Sequence, residues 1–261
     1  MKPGTAATNT YVTATAAGIE NLTVAAGANY VNLAQVSAAK SIVANGAGSL
    51  DINAVAATVT SFDASAMTGA VTANLSASSE LTAVKGGAGD DTITVSQLAV
   101  NAVLEGGAGN DTLVLNGVTG TLQPTMSDFE NVKGDGGSVT LSGKNVKDFT
   151  SLEVTGGAAV TLANVDASEF AVTASGTTSG SVTLSSPTKL TYNTAASTAS
   201  TTAKNADTVS TAITASEATS AIIKVGAYTN ATGTITLAKA ADVTLNVASG
   251  LGTGDYLCRY D

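Results

Sequence analysis

Carboxylates recur in this chain at one fixed place in two glycine-rich phrases. Gly86-Gly87-Ala88-Gly89-Asp90-Asp91-Thr92-Ile93-Thr94 and Gly106-Gly107-Ala108-Gly109-Asn110-Asp111-Thr112-Leu113-Val114 both fit G-G-x-G-x-D-x-U-x, with U an apolar residue, and lie twenty residues apart. Glycine permits the φ > 0 turns that aim backbone carbonyls inward, and the aspartate adds a hard anionic oxygen. Such donors suit a hard cation. Calcium takes six to eight oxygens at roughly 2.3–2.6 Å, more than one turn of this kind supplies; two turns stacked one above the other supply them. A phosphate-binding loop would continue into G-K-[S/T] and open a helix, whereas both phrases lead straight into a strand pattern. Gly and Asp are common in metal-free turns as well, but two near-identical copies one repeat apart favour calcium.

Other chemistries find little support. The chain has no histidine, which removes Ser-His-Asp and Cys-His nucleophile systems and histidine-ligated zinc. Hydrolysis by a carboxylate pair needs two acids across a cleft; the acids here gather at the glycine-rich turns or stand singly, as Glu20, Glu80, Glu130, Glu153 and Glu169 do. Lys85 is the basic residue nearest the motifs and reads as solvated charge compensation rather than as a catalytic base. The chain is therefore read as a non-enzyme. Twenty acidic against eleven basic residues give a net charge of −9, with Arg259 the only arginine, which disfavours nucleic-acid binding. The single Cys258 has no partner for an internal disulfide. It lies in a segment, 251–261, whose composition departs from the rest and reads as an added tail. No apolar run is long enough to span a membrane, and the N-terminus shows no cleavable signal peptide.

The elements that must position the motifs are short strands. Apolar-x-apolar pairs recur at Val31/Leu33, Leu50/Ile52, Val71/Ala73, Ile93/Val95, Leu113/Leu115, Val139/Leu141, Val160/Leu162 and Val182/Leu184, in steps of 19, 21, 22, 20, 26, 21 and 22 residues. A second set precedes most turns: Leu22/Val24, Leu81/Val84, Val103, Phe129/Val132, Leu152/Val154, Phe170/Val172 and Leu190/Tyr192. Period-2 alternation marks half-buried strands. A repeat near 21 residues marks a solenoid in which each coil buries itself only against its neighbours. Aromatic residues make up 4% of the chain, which fits a narrow interior filled by Val, Ile, Leu and Ala better than a broad globular core. The expected fold is all-β, a right-handed parallel β-helix or β-roll with rungs of about 20–22 residues. Residues 1–185 form its calcium-binding part. Residues 186–250 form a less regular continuation or a capping and contact region, because the Ala/Thr/Ser-rich stretch Thr194–Ser220 breaks the rhythm. The middle residues of the first set of pairs, Asn32, Asp51, Thr72, Thr94, Val114, Thr140, Thr161 and Thr183, are expected to form one outward column.

The paired turns resemble the RTX (repeats-in-toxin) group, and the low-complexity solenoid around them is similar to RTX-type surface-layer proteins of Gram-negative bacteria. Gly18-Ile19-Glu20-Asn21-Leu22-Thr23-Val24, Phe62-Asp63-Ala64-Ser65-Ala66-Met67-Thr68-Gly69-Ala70-Val71 and Asp128-Phe129-Glu130-Asn131-Val132 resemble connectors between their rungs. The resemblance implies one complete calcium site. Its ligands would be the carbonyls of Gly87 and Gly89 with the Asp91 carboxylate, and the carbonyls of Gly106 and Ala108 with the Asp111 carboxylate. Asp90 and Asn110 would shape the turns. Gly69 and Gly137 stand where flanking rungs would carry the aspartate, and Asn45–Gly48 and Gly134–Gly137 look like degenerate turns. The resemblance also implies export by type I secretion to the extracellular cell surface and self-association into an oligomer or two-dimensional lattice. Attachment to cell-surface polysaccharide would run through another region. No C-terminal secretion signal is evident, so the chain reads as a piece of a longer protein. Two other functions compete: the stalk of a secreted RTX adhesin, and ice binding by the threonine column.

Overall fold

Runs of four to eight residues rich in Val, Ile, Leu, Thr and Ala alternate inward and outward, and the pattern closes into coils because each run pairs with the same run one coil later. The computed structural model describes residues 12–27, 29–142, 145–146, 150–162, 169–174, 180–184, 189–194, 207–209, 212–225, 229–231 and 234–247. Among them there is no helix, and the paired strands are parallel. The protein is a parallel β-solenoid.

Sheet A runs the length of the described chain and holds twelve strands. They are Val12–Thr15, Asn29–Gln35, Leu50–Ala54, Val71–Asn74, Thr92–Val95, Thr112–Asn116, Asn131–Asp135, Ser151–Thr155, Glu169–Ala174, Lys189–Thr194, Ser220–Val225 and Asp242–Val247. Sheet B stacks seven strands from Asn21–Ala25 to Asn145–Val146, and sheet C six from Thr119–Leu122 to Ile235–Thr236. Early coils alternate A and B. The coil that contains Thr112–Asn116 inserts Thr119–Leu122 between them, and from there the cross-section acquires a third side.

That added side accounts for the 26-residue step in the sequence pattern. Leu113 lies on sheet A, whereas Val139 lies on sheet C, so the interval compares two faces. Within sheet A the register advances evenly, pairing Thr72 with Thr92, then Thr112, Asn131, Ser151, Ala171 and Thr191. The next partner of Thr191 is Ile222. The extra length carries Asp207–Val209, which pairs with Thr229–Ala231 in a separate two-stranded sheet. Sheets A and C both continue beyond residue 185. The 251–261 tail and Cys258 lie outside the described residues.

Between the sheets the core is a stack of one-residue columns. From sheet A come Ile52, Ala73, Ile93, Leu113, Val132, Leu152 and Val172, and from sheet B Ile42, Phe62, Val84, Leu104 and Met126, all fully buried. Each large aliphatic side chain so buried contributes about 1.5–3 kcal/mol. Val103 was expected inward, but Ala102 and Leu104 point in and Val103 is half-buried. A register shift between Leu98 and Val103 inserts three extra residues, an odd number, and so reverses the alternation. Gly134 also differs from expectation. It sits inside a sheet A strand, and a side chain there would strike Val160, so it is a core residue trimmed to fit and no degenerate turn.

The outer faces are polar and ordered by the same stacking. Ion pairs span single coils at Lys40–Glu20 (3.1 Å), Lys85–Glu105 (2.9 Å), Lys133–Glu153 (3.4 Å) and Lys239–Glu217 (2.6 Å). Being solvent-screened, they contribute little to stability. The expected outward column does not exist as one line. Asn32, Asp51, Thr72, Thr94 and Val114 are on sheet A, where Asp51 pairs with Thr72 but Thr94 belongs to the neighbouring column with Asn74. Thr140, Thr161 and Thr183 are on sheet C. There they fall in an unbroken ladder of six, Thr121, Thr140, Thr161, Thr183, Thr214 and Thr236, one on each strand. Two positions earlier on most of the same strands a second column reads Thr119, Ser138, Ala159, Ser181 and Ala212.

Candidate metal site

The two nonapeptides form the same corner of consecutive coils, where the chain turns from sheet B to sheet A. Lys85 closes one B strand and Thr92 opens the next A strand; Glu105 and Thr112 do the same one coil later. Stacking is direct. Ala108 N–H donates to the Gly87 carbonyl at 2.9 Å, and Thr112 N–H to the Asp91 carbonyl at 2.8 Å. The closeness explains the glycines. A side chain on Gly86 would collide with the Gly106 carbonyl, and one on Gly107 with the Gly87 carbonyl.

Asp91 and Asp111 immediately precede the A strands on the inward side, in the register column that Leu50 and Val71 occupy in the coils before. Both are buried, at 1% and 0% exposure. The column continues to Glu130, because Asn131 pairs with Thr112. A line of backbone-to-carboxylate hydrogen bonds joins them. Val71 N–H donates to Asp91 Oδ1 at 2.7 Å, Asp91 N–H to Asp111 Oδ1 at 2.7 Å, and Asp111 N–H to Glu130 Oε2 at 2.7 Å. Three acids thus replace apolar residues in one inner column, each capping the backbone of the coil before it.

The copies then diverge. In the first, Gly87 N–H donates to the second oxygen of Asp91, Oδ2, at 2.5 Å. In the second, Gly107 takes a left-handed φ of +108°, and Asp111 Oδ2 is buried with no hydrogen-bond partner. Ionised groups dislike such surroundings. Burial raises the Asp91 carboxyl above its ordinary range, partly offset by the bonds from Gly87 and Val71, with the charge of Asp90 adding to the rise. Burial likewise pushes Asp111 up to about 6, against the lowering bond from Asp91 N–H and with the charges of Asp91, Glu130 and Asp90 in the same sense.

Outside the corner, the fifth motif position builds a second ladder. Asn110 N–H donates to Asp90 Oδ1 (2.9 Å), Asn131 Nδ2 to Asn110 Oδ1 (2.8 Å), and Ser151 Oγ to Asn131 Oδ1 (2.5 Å).

The six residues expected as ligands are therefore together on two stacked corners. Gly87, Asp91, Gly106 and Asp111 are buried or nearly so, Gly89 is half-buried, and Ala108 is exposed. Sequence reasoning missed Glu130. Its corner, Asp128-Phe129-Glu130, lacks the glycines, and the only signal was its distance of one rung from Asp111. Gly137 does not follow Asp111 in the column; it packs on Gly117 and Val118 at a different corner. Gly69 stacks against Gly89, the fourth motif position, and the residue ahead of Asp91 in the column is Val71.

Among the described residues no three His, Cys, Asp or Glu side chains converge as a metal cluster, so a cation here must draw on backbone oxygens as well. A buried anionic oxygen without a donor, in a column of acids, fits a hard cation on chemical grounds. The lysines nearest in sequence, Lys85 and Lys133, are each paired with a glutamate. No family model, curated protein or solved structure matches the chain.

Proposed function

We propose that this chain is a calcium-stabilised structural solenoid, a subunit of a self-assembling bacterial surface layer, without enzymatic activity. The observation that carries the calcium reading is Asp111 Oδ2, a buried carboxylate oxygen with no partner, in a column shared with Asp91 and Glu130. Carboxylates of this column together with corner carbonyls would hold the ion. Bound calcium supplies positive charge and oxygen coordination that cancel the repulsion of the acids. The protein's own residues do the rest. Glycines let the corners approach, the Asp90–Asn110–Asn131–Ser151 ladder ties the outside, and the apolar columns on either side fix the register.

The assembly reading rests on shape. A solenoid presents long, flat, regularly spaced faces, and open contacts between such faces propagate rather than close. Extracellular, calcium-replete surroundings suit an acidic chain whose core needs the ion. Electron microscopy of the purified chain with and without millimolar calcium tests the proposal, with sheets or oligomers expected only when calcium is present. A chain that stays monomeric at high concentration in calcium overturns the lattice reading and leaves the adhesin stalk as the better one.

A further inference from the structure

The two corners that match the motif are not equivalent as cation hosts, and the difference points to a particular place. Asp91 has both carboxylate oxygens occupied, one by Val71 N–H and one by Gly87 N–H. The Gly87 carbonyl already accepts a hydrogen bond from Ala108. Between the two nonapeptides, then, the polar groups largely satisfy one another. One coil further on they do not. Asp111 Oδ2 faces the side of Gly106 that has no Cβ, 2.8 Å from where that atom would stand, and the Asp128 carbonyl oxygen crowds the same spot. Asp128 is the only non-glycine residue among those described with a left-handed backbone, at φ 59°. Aspartate tolerates this conformation better than most residues, and it lets the corner turn without a glycine. Glu130 follows two residues later and lies close enough for Oε2 to accept Asp111 N–H at 2.7 Å.

We infer that the cation is held one rung beyond the pair of nonapeptides, between the second nonapeptide and the corner Asp128-Phe129-Glu130. Its ligands there include the Asp111 and Glu130 carboxylates and the Asp128 carbonyl, and Asp91 acts as a hydrogen-bond acceptor that fixes the coil below. This rests on the calcium reading and deepens it, because the ligand-bearing corner is one that the G-G-x-G-x-D pattern does not mark. Two neighbouring coils share the work unequally: the first nonapeptide is a structural platform, and the second opens its carboxylate toward the next coil. The absent side chain is common to both corners, since one on Gly86 or on Gly106 would strike the carbonyl of the next coil; the unpartnered Oδ2 of Asp111 is what sets the second corner apart.

The test compares Glu130→Gln with Asp91→Asn in the full chain, by calorimetric titration with calcium chloride and by terbium luminescence, with circular dichroism to verify the fold. Glu130→Gln should weaken binding about tenfold or more, because ligand charge sets calcium affinity. Asp91→Asn should lower thermal stability and leave affinity within about threefold, since it removes no ligand charge from the ion. Loss of binding in Asp91→Asn with wild-type affinity in Glu130→Gln overturns the inference, puts the ion between the two nonapeptides, and leaves the calcium reading intact. Equal losses in the two variants also overturn it. A wild-type chain that binds neither calcium nor terbium overturns both readings.

Discussion

Replacing Asp111 by asparagine should stabilise the metal-free protein at neutral pH, although it alters a fully buried polar residue. In the folded chain burial lifts the Asp111 carboxyl from 3.8 to about 6. Below about pH 4 both folded and unfolded chains hold the proton, and the group is neutral in the balance. Between about 4 and 6 the unfolded chain has released its proton and the folded chain retains it, so stability falls as pH rises. Above about 6 the penalty is complete. At 1.36 kcal/mol per pKa unit it amounts to about 3 kcal/mol. The introduced asparagine would keep the acceptor for Asp91 N–H and turn an amide donor toward the Asp128 carbonyl, so the orphaned oxygen disappears along with the charge. Thermal melts followed by circular dichroism in chelator, from pH 4 to 8, should show the wild type losing stability with rising pH while D111N stays flatter. At pH 7 the variant should melt higher by on the order of 5–10 °C. Millimolar calcium should raise the wild type and leave D111N almost unchanged, because the ion binds the ionised carboxylate. Parallel pH profiles for the two proteins in chelator would refute the claim that Asp111 is a buried, uncompensated acid.

Two further pairs of substitutions test the architecture. Leu113→Asp places a charge in the sheet A inner column and should cost about 3 kcal/mol or more, seen as loss of the cooperative melt, while Thr140→Asp on the outer face of sheet C should be tolerated. Gly107→Ala should destabilise by well over 1 kcal/mol in urea titration, because its φ of +108° is strained for alanine and the new methyl meets the Gly87 carbonyl; Gly120→Ala, at φ +97° with open space around it, should cost about 1 kcal/mol.

Much of this was legible in the sequence, and the misses have physical causes. Coil length and the twin corners were readable because Gly-Gly and a sixth-position Asp are demanded by close stacking. The in-and-out alternation held at Leu113, Leu115, Val139 and Leu141, all buried. What the pattern did not reveal was which face a strand belongs to. An apolar-x-apolar pair looks alike on sheets A, B and C, so the insertion of Thr119–Leu122 passed as one long step, and threonines from two sheets were joined into one column. Val103 was misjudged because a register shift leaves no mark in the pattern. Glu130 was hidden because its corner turns on Asp128 and Phe129 instead of glycine.

The six-rung threonine ladder on sheet C has one more consequence. Adjacent strands in a sheet lie about 4.8 Å apart, so this face is a ruler with nearly identical marks. Anything docked along it meets almost the same hydroxyls and methyls after sliding by one mark. Such a surface grips without saying where, and slippage is the failure to expect of faces with weakly specified register. Among the described residues, the longest step in sequence along this ladder, from Thr183 to Thr214, accompanies the separate strand pair Asp207–Val209 and Thr229–Ala231 and marks one position on the face. A partner that must dock at a single offset has to find that irregularity.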